Sequence, residues 1–258
     1  MRLGRKWRTR RAGNADHGVV ITATTPARGW AGLHVLLGVQ SLLIVLVSVN
    51  RLTTATTGYV ASNQFLRWVD LDNMVLGLLA VVVYHLLVRY LERRSPPASR
   101  RARDALGVAF VLGAYLYAAG YGSHEVTNYL HVRFCPDTSG GLCRIIAYHD
   151  DQFSHLLFFA GFIVLNVVVM LTQAISADPG RPGAADNVGV IVNALFVAAG
   201  VVANLAFEEI GLDLYVVAAV AAFAVVLLWR QPRRLIHRYY AVAFVLGLAV
   251  TGVIKAAG

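Results

Sequence analysis

The sequence predicts an all-α, polytopic integral membrane protein with seven transmembrane helices, and three observations support this. Hydrophobic residues make up 57% of the 258 residues and charged residues only 14%, whereas a soluble domain carries about a quarter charged residues. The mean hydropathy is +0.61, and the apolar residues are collected in seven runs. The net charge is +9, but the basic residues lie between these runs. They are therefore typical of topology signals rather than of nucleic-acid binding.

The seven predicted spans follow one another through short polar connections. Each is close to the ~20 helical residues that cross a hydrocarbon core of about 30 Å. The second and sixth are short and need their flanking residues to complete the crossing, and Pro232 with its basic neighbours separates the last two. The spans are predicted at residues 30–50, 73–88, 106–129, 152–173, 188–207, 212–229 and 235–255.

The distribution of Lys and Arg predicts the orientation in the cell membrane. With a cytoplasmic N-terminus, the inner segments 1–29, 89–105, 174–187 and 230–238 hold 7, 6, 1 and 4 basic residues, which is 18 of 23. This bias predicts a multi-pass protein with the N-terminus inside and the C-terminus outside. Residues 1–29 are expected to form a basic cytoplasmic tail, partly disordered, and residues 30–258 the membrane domain.

Both cysteines fall on the predicted outer side, in the connection after the third span. Cys135 and Cys143 bracket a flexible segment that contains Pro136 and two glycines. An extracytoplasmic compartment favours a disulfide between them. A two-cysteine metal site is the competing interpretation, although the spacing of eight is wider than zinc sites usually show.

Nine of the fourteen carboxylates also fall on the predicted outer side. Asp72 is expected at or near the N-cap of the second span, where a carboxylate satisfies free amide groups. Glu208 and Glu209 follow the fifth span. Glu208 would add a ligand or proton acceptor to an outer pocket, or the pair would simply end the helix in water.

Polar side chains are concentrated on the helical hairpin formed by the third and fourth spans, which holds four of the eight histidines. On a helical projection each of the two spans carries one polar stripe. A short connection makes the two helices antiparallel neighbours, so the polar ends of the stripes are expected to meet. The stripes consist of Tyr117, Tyr121, His124, Asn128 and His131 on the third span, and Asp151, His155, Phe159, Phe162 and Asn166 on the fourth.

The leading interpretation of this hairpin is a metal site in a membrane-embedded enzyme. Nitrogen and oxygen ligands suit zinc or iron, and a metal with one open position generates a hydroxide nucleophile near neutral pH. Hydrolysis of a lipid or other apolar substrate at the outer leaflet is the first expectation, because it needs no further cofactor. The expected ligands are His124, His131, Asp151 and His155, with Glu125 and Asp150 in acid/base or orienting roles.

Other interpretations remain open at this point. The same residues would serve a proton-coupled transporter or a pH-responsive sensor without metal, or would only solvate the helix ends in a non-catalytic subunit of a membrane complex. The string from His124 to Asn128 departs from the His-Glu-x-x-His signature of zinc peptidases, because Asn128 stands where the second histidine belongs. The roles in that motif are therefore not carried over.

Overall fold

The structure, a computed structural model, describes residues 29–97, 99–177, 180–206 and 211–257. Within them the chain is all-α and contains seven helices long and apolar enough to span a membrane, which confirms the predicted fold class. The predicted tail, except Gly29, and both Glu208 and Glu209 lie outside the described residues. The helices are α1 (Ala31–Leu52), α2 (Trp68–Arg94), α3 (Arg100–Phe134), α4 (Gly141–Tyr148), α5 (Ser154–Ile175), α6 (Ala184–Leu205), α7 (Leu212–Arg230) and α8 (Leu235–Ala257).

The helices extend beyond the apolar runs from which they were predicted. The third span was expected at 106–129, but α3 begins after Ser99, whose Oγ accepts a hydrogen bond from the amide of Ala102 at 3.3 Å, and ends at Phe134. Helical hydrogen bonding requires no apolar side chains, so a helix continues into water or headgroups where capping residues permit. The expectation for Asp72 was wrong for this reason, since α2 already begins at Trp68.

Neighbouring helices contact in the closed order α1, α2, α3, α5, α7, α8, α6 and back to α1. The interior is formed by apolar side chains together with buried tyrosines, of which Tyr84 donates a hydrogen bond to the buried Asn166 at 3.1 Å. Large apolar side chains such as Leu78 and Val111 cover the outside. Such an apolar exterior is what a lipid environment requires.

Helices α3 and α5 approach to backbone contact. A Cβ at Gly120 would lie 2.4 Å from the amide nitrogen of Phe158. A Cβ at Gly161 would lie 2.3 Å from the amide nitrogen of Tyr117 and 2.7 Å from the carbonyl oxygen of Gly113. Glycine is therefore required at this contact, and it fixes how far the two polar stripes stand from each other.

We call one end of the bundle the site end; it carries the connections 53–67 and 135–140. Cys135 and Cys143 form a disulfide there, which confirms the predicted bridge. The connection 53–67 is tied to α3, because the backbone carbonyl of Gln64 accepts hydrogen bonds from Tyr129 and Arg133. The predicted orientation would place the site end outside the cell.

Helices α4 and α5 form one continuous helical stretch, Gly141–Ile175, which is the fourth span and which we call the rod. It contains one π turn, His149–Phe153, between α4 and α5. The amide of Ser154 bonds the carbonyl of His149, five residues back, and the Ser154 hydroxyl donates to the carbonyl of Asp150 at 2.5 Å. A π turn inserts an extra residue into the helical repeat and changes which side chains face inward. Here it buries Asp150 and leaves Asp151 exposed.

Candidate functional site

Asp150 lies at the centre of the polar cluster and contacts two histidines of α3. Its Oδ2 lies 2.9 Å from the Nδ1 of His131, and its Oδ1 lies 3.0 Å from the Nδ1 of His124. The contact to His124 is short but poorly aligned for a hydrogen bond, since both atoms lack a partner with good geometry. The Asp150 side chain is 2% exposed, so these imidazoles, together with Asn128, compensate its burial in the bundle.

Asp151 adds a second carboxylate to the group. One ligand atom each from His131, Asp150 and Asp151 lie within 4.8 Å of one another, an arrangement that could hold a metal ion. The group is only partly buried, because Asp150 is enclosed while Asp151 faces outward.

His155 joins the cluster through an aromatic contact. Its ring centroid lies 5.0 Å from that of His124 and 6.1 Å from that of Phe159. It does not belong to the three residues whose ligand atoms converge among the described residues. The structure thus brings His124 and His155 together on one face, and His131 with Asp150 and Asp151 next to it.

Glu125 turns away from this group, toward α2. Its side chain is buried and its Oε1 accepts a hydrogen bond from Asn73 at 3.1 Å. The side chain of Asn73 in turn accepts a hydrogen bond from Asn50 of α1 at 2.6 Å. Glu125 therefore joins three helices at the site end.

Arg67 is a neighbour of the site that the sequence reasoning missed. Its guanidinium donates to both oxygens of Asp70, at 2.9 Å and 2.6 Å, and to the side-chain oxygen of Asn128 at 2.9 Å. Asn128 Nδ2 then donates to Asp150 Oδ2 at 3.4 Å. The hydrogen bond to Asp70 raises the pKa of Arg67 above its ordinary value. The spacing of three between Arg67 and Asp70 was the only sequence signal, and it indicates nothing about Asn128.

The imidazoles reach the surface among apolar side chains. The His124 side chain is 34% exposed and that of His131 24%. Exposed apolar residues of the same rod, Phe153 and Leu156, lie on either side of His155 in the sequence. The cluster therefore combines an enclosed carboxylate with partly exposed imidazoles, and exposed apolar residues lie close to His155 in the chain.

Comparisons with protein-family models, with curated proteins and with solved structures give no match for this chain. We therefore infer function from the residues of the site end alone.

Proposed function

We propose that this protein is a metal-dependent membrane enzyme that hydrolyses an ester or amide bond of a lipid. The observation that carries the proposal is the position of Asp150, whose two carboxylate oxygens each meet the Nδ1 of a different histidine. A carboxylate that accepts from one ring nitrogen sets the tautomer and leaves the other nitrogen as the ligand. Asp150 would in this way leave the Nε2 atom of each histidine available as a ligand.

In this proposal the first ligands are His124 and His131 through Nε2, with Asp151 and His155 completing the set. One ligand atom each of Asp151 and His131 lie within 4.8 Å of each other, and the His155 ring lies against that of His124. Asp150, the third member of the converging group, orients the imidazoles in this proposal. The ion is zinc or iron, because imidazole and carboxylate are ligands that both accept. When bound with an open position, such an ion supplies a hydroxide nucleophile and polarises the scissile carbonyl.

Glu125 and Asp150 were both expected in acid/base or orienting roles, and we assign each an orienting role. The carboxylate of Glu125 is engaged by Asn73 and lies in the contact between helices. Its position next to His124 in the chain allows it to fix the rotation of α3 at that point. Oδ2 of Asp150 is engaged by His131 and Asn128, and Oδ1 lies against the Nδ1 of His124.

A lipid is the substrate class that suits the site end. Phe153 and Leu156 are exposed and lie close to His155 in the chain, so they would offer an apolar surface to an acyl chain. The predicted orientation makes this the outer leaflet. A membrane-impermeant maleimide applied to intact cells is expected to label Ser62→Cys at the site end and not Ser99→Cys at the other end; the reverse pattern would contradict the orientation.

Metal analysis of the purified protein tests the proposed site. The wild type is expected to bind about one equivalent of zinc or iron, and His124→Ala and His131→Ala less than a tenth. His149→Ala is the matched control, since His149 lies in the same π turn but contacts the rings of Tyr148 and Phe153. A wild type with less than a tenth of an equivalent, unchanged by these substitutions, would remove the enzyme proposal.

Lipid turnover tests the reaction. Protein loaded with the metal is mixed with vesicles that contain ester-linked and amide-linked lipids, and released fatty acid is measured by mass spectrometry. Release is expected to stop after chelation, to return when metal is restored, and to persist in His149→Ala. Stoichiometric metal without fatty-acid release from either lipid class would contradict hydrolysis while leaving the metal site intact.

A further inference from the structure

We propose that Arg67 is the positioning residue of the site, and that it acts by fixing the side-chain amide of Asn128, which in turn holds the carboxylate of Asp150. The proposal rests on the proposed function, because it explains how a metal site of this geometry is kept in place. It concerns residues that lie outside the expected ligand set. A single chain of contacts runs from the connection 53–67 to the π turn.

The first contact anchors Arg67. Its Nε donates to Asp70 Oδ2 at 2.9 Å and its Nη2 to Oδ1 at 2.6 Å, and the Asp70 side chain is only 3% exposed. The backbone amide of Arg67 also donates to Asp70 Oδ2 at 3.3 Å. A planar guanidinium held at two points by a buried carboxylate has little rotational freedom.

The second contact decides which way the amide of Asn128 faces. A guanidinium donates hydrogen bonds and cannot accept them. The end of Asn128 that faces Nη2 at 2.9 Å must therefore be the oxygen, Oδ1. The opposite end, Nδ2, is thereby presented to Asp150 Oδ2 at 3.4 Å.

The third contact determines what happens when Arg67 is removed. Without it the side chain of Asn128 has no fixed partner, and the Nδ2 donor that meets Asp150 Oδ2 at 3.4 Å is no longer held in place. The carboxylate of Asp150 then loses one of the contacts that orient it, and Oδ2 moves away from the Nδ1 of His131. His131 thereby loses the contact that sets its tautomer.

Lysine is not an adequate replacement for arginine at this position. A lysine ammonium can pair with Asp70, but it is a single point and cannot reproduce the planar fork that meets Asp70 twice and Asn128 once. Arg67→Lys should therefore preserve the start of α2 and still lose control of Asn128. This outcome separates positioning from a purely structural role, in which the charge alone would suffice.

The experiment uses the full chain in detergent micelles and two readouts. In metal-free protein, nitrogen-15 NMR of the His131 ring reports the tautomer, which is expected to be Nδ1–H in the wild type and mixed in Arg67→Lys, Arg67→Gln and Asn128→Leu. Zinc titration is expected to give an affinity 10- to 100-fold weaker in all three variants, the range found when partners of ligands are removed. Equilibrium unfolding verifies that Arg67→Lys remains folded.

Arg133→Lys is the matched control. Arg133 is a second arginine of the site end, where it holds the connection 53–67 through the carbonyl of Gln64. Its replacement is expected to leave both readouts as in the wild type. If Arg133→Lys changes the His131 tautomer as much as Arg67→Lys does, the effect belongs to the loop and the assignment to Arg67 is overturned.

The two readouts distinguish failure of this inference from failure of the proposed function. If the wild type binds no zinc but the His131 tautomer changes in the Arg67 variants, the positioning role of Arg67 stands and the metal-enzyme proposal fails. If the wild type binds zinc, and the tautomer is unchanged and the affinity within threefold in Arg67→Lys and Asn128→Leu, the positioning role is overturned. Absence of both effects overturns both.

Discussion

Gly161→Ala tests whether the close contact of α3 and α5 sets the geometry of the site. The added Cβ would stand 2.3 Å from the amide nitrogen of Tyr117, whereas ordinary van der Waals contact begins near 3.4 Å. The helices must therefore separate locally by about 1.1 Å, since the obstructing atoms are backbone atoms and not flexible side-chain ends. Overpacking of this kind costs about 1–3 kcal/mol in free energy of unfolding.

The same displacement should reach the polar cluster, because both histidines belong to α3 and Asp150 belongs to the rod that continues into α5. Gly161 lies seven residues beyond Ser154, about 10 Å along the helix. If the 2.9 Å hydrogen bond between Asp150 and His131 is lengthened by about 1 Å, it is lost, and the 3.0 Å contact to His124 weakens with it. We expect zinc affinity to fall together with stability, although Asp150 and the histidines are unchanged.

Gly122→Ala is the control for this prediction. Among the described residues nothing beyond its own helical turn lies within 4 Å of a Cβ at Gly122, which belongs to α3 and lies two residues before His124. Glycine to alanine inside a helix stabilises by about 1 kcal/mol, so the control should match or exceed the wild type in urea unfolding and bind zinc normally. A Gly161→Ala protein that unfolds within about 0.5 kcal/mol of wild type would refute the packing argument.

Three further predictions concern the rod of the fourth span and its disulfide. In metal-free protein, Asp150→Asn should lower the free energy of unfolding by about 1–3 kcal/mol, because it leaves an imidazole N–H without its acceptor. Asp151 is exposed, so Asp151→Asn should change the free energy of unfolding by less than about 0.5 kcal/mol. Equal effects of the two substitutions would contradict the central position of Asp150. Reduction of the Cys135–Cys143 bridge, which closes a separation of eight residues, should cost about 2.5 kcal/mol by loop entropy, measured by unfolding with and without reductant; no change would contradict the entropy estimate. Deletion of Gln152 from the π turn should rotate Asp150 by about 100° relative to α5. Zinc binding is then expected to be abolished, while the circular dichroism spectrum stays unchanged. Zinc affinity within threefold of the wild type would refute the importance of the turn.

The membrane fold was predictable because the bilayer imposes a simple requirement on the sequence. Seven apolar runs of nearly spanning length leave few alternatives. The ends of the helices were harder to predict from the sequence. The range 73–88 predicted for the second span omitted Trp68 and Asp70, which lie in the first turn of α2, because apolar content marks the hydrocarbon region and not the length of the helix.

The polar hairpin was also predictable in outline, since helical periodicity placed His124, Asn128 and His131 on one stripe. The relation between Asp150 and Asp151 was not. A regular repeat of 3.6 residues grouped Asp151 with His155 on the facing helix, and this projection assumes that the helix continues without interruption. The π turn breaks that assumption exactly at the two aspartates, and it is stabilised by the Ser154 hydroxyl on the carbonyl of Asp150, a contact that sequence periodicity does not reveal.

This interruption carries a physical consequence for the site. A carboxylate as enclosed as that of Asp150 is tolerated in a membrane bundle only when several donors meet it at once. His124, His131 and Asn128 supply those donors from one helix, while the π turn supplies the carboxylate from the other. A regular α-helix would keep the two halves out of register, so the extra residue in the turn is what allows them to meet. The contacts between Asp150 and the imidazoles therefore compensate the free-energy cost of the weakened helical turn. Such compensation is expected where an irregularity in a helix serves a functional site and not the fold.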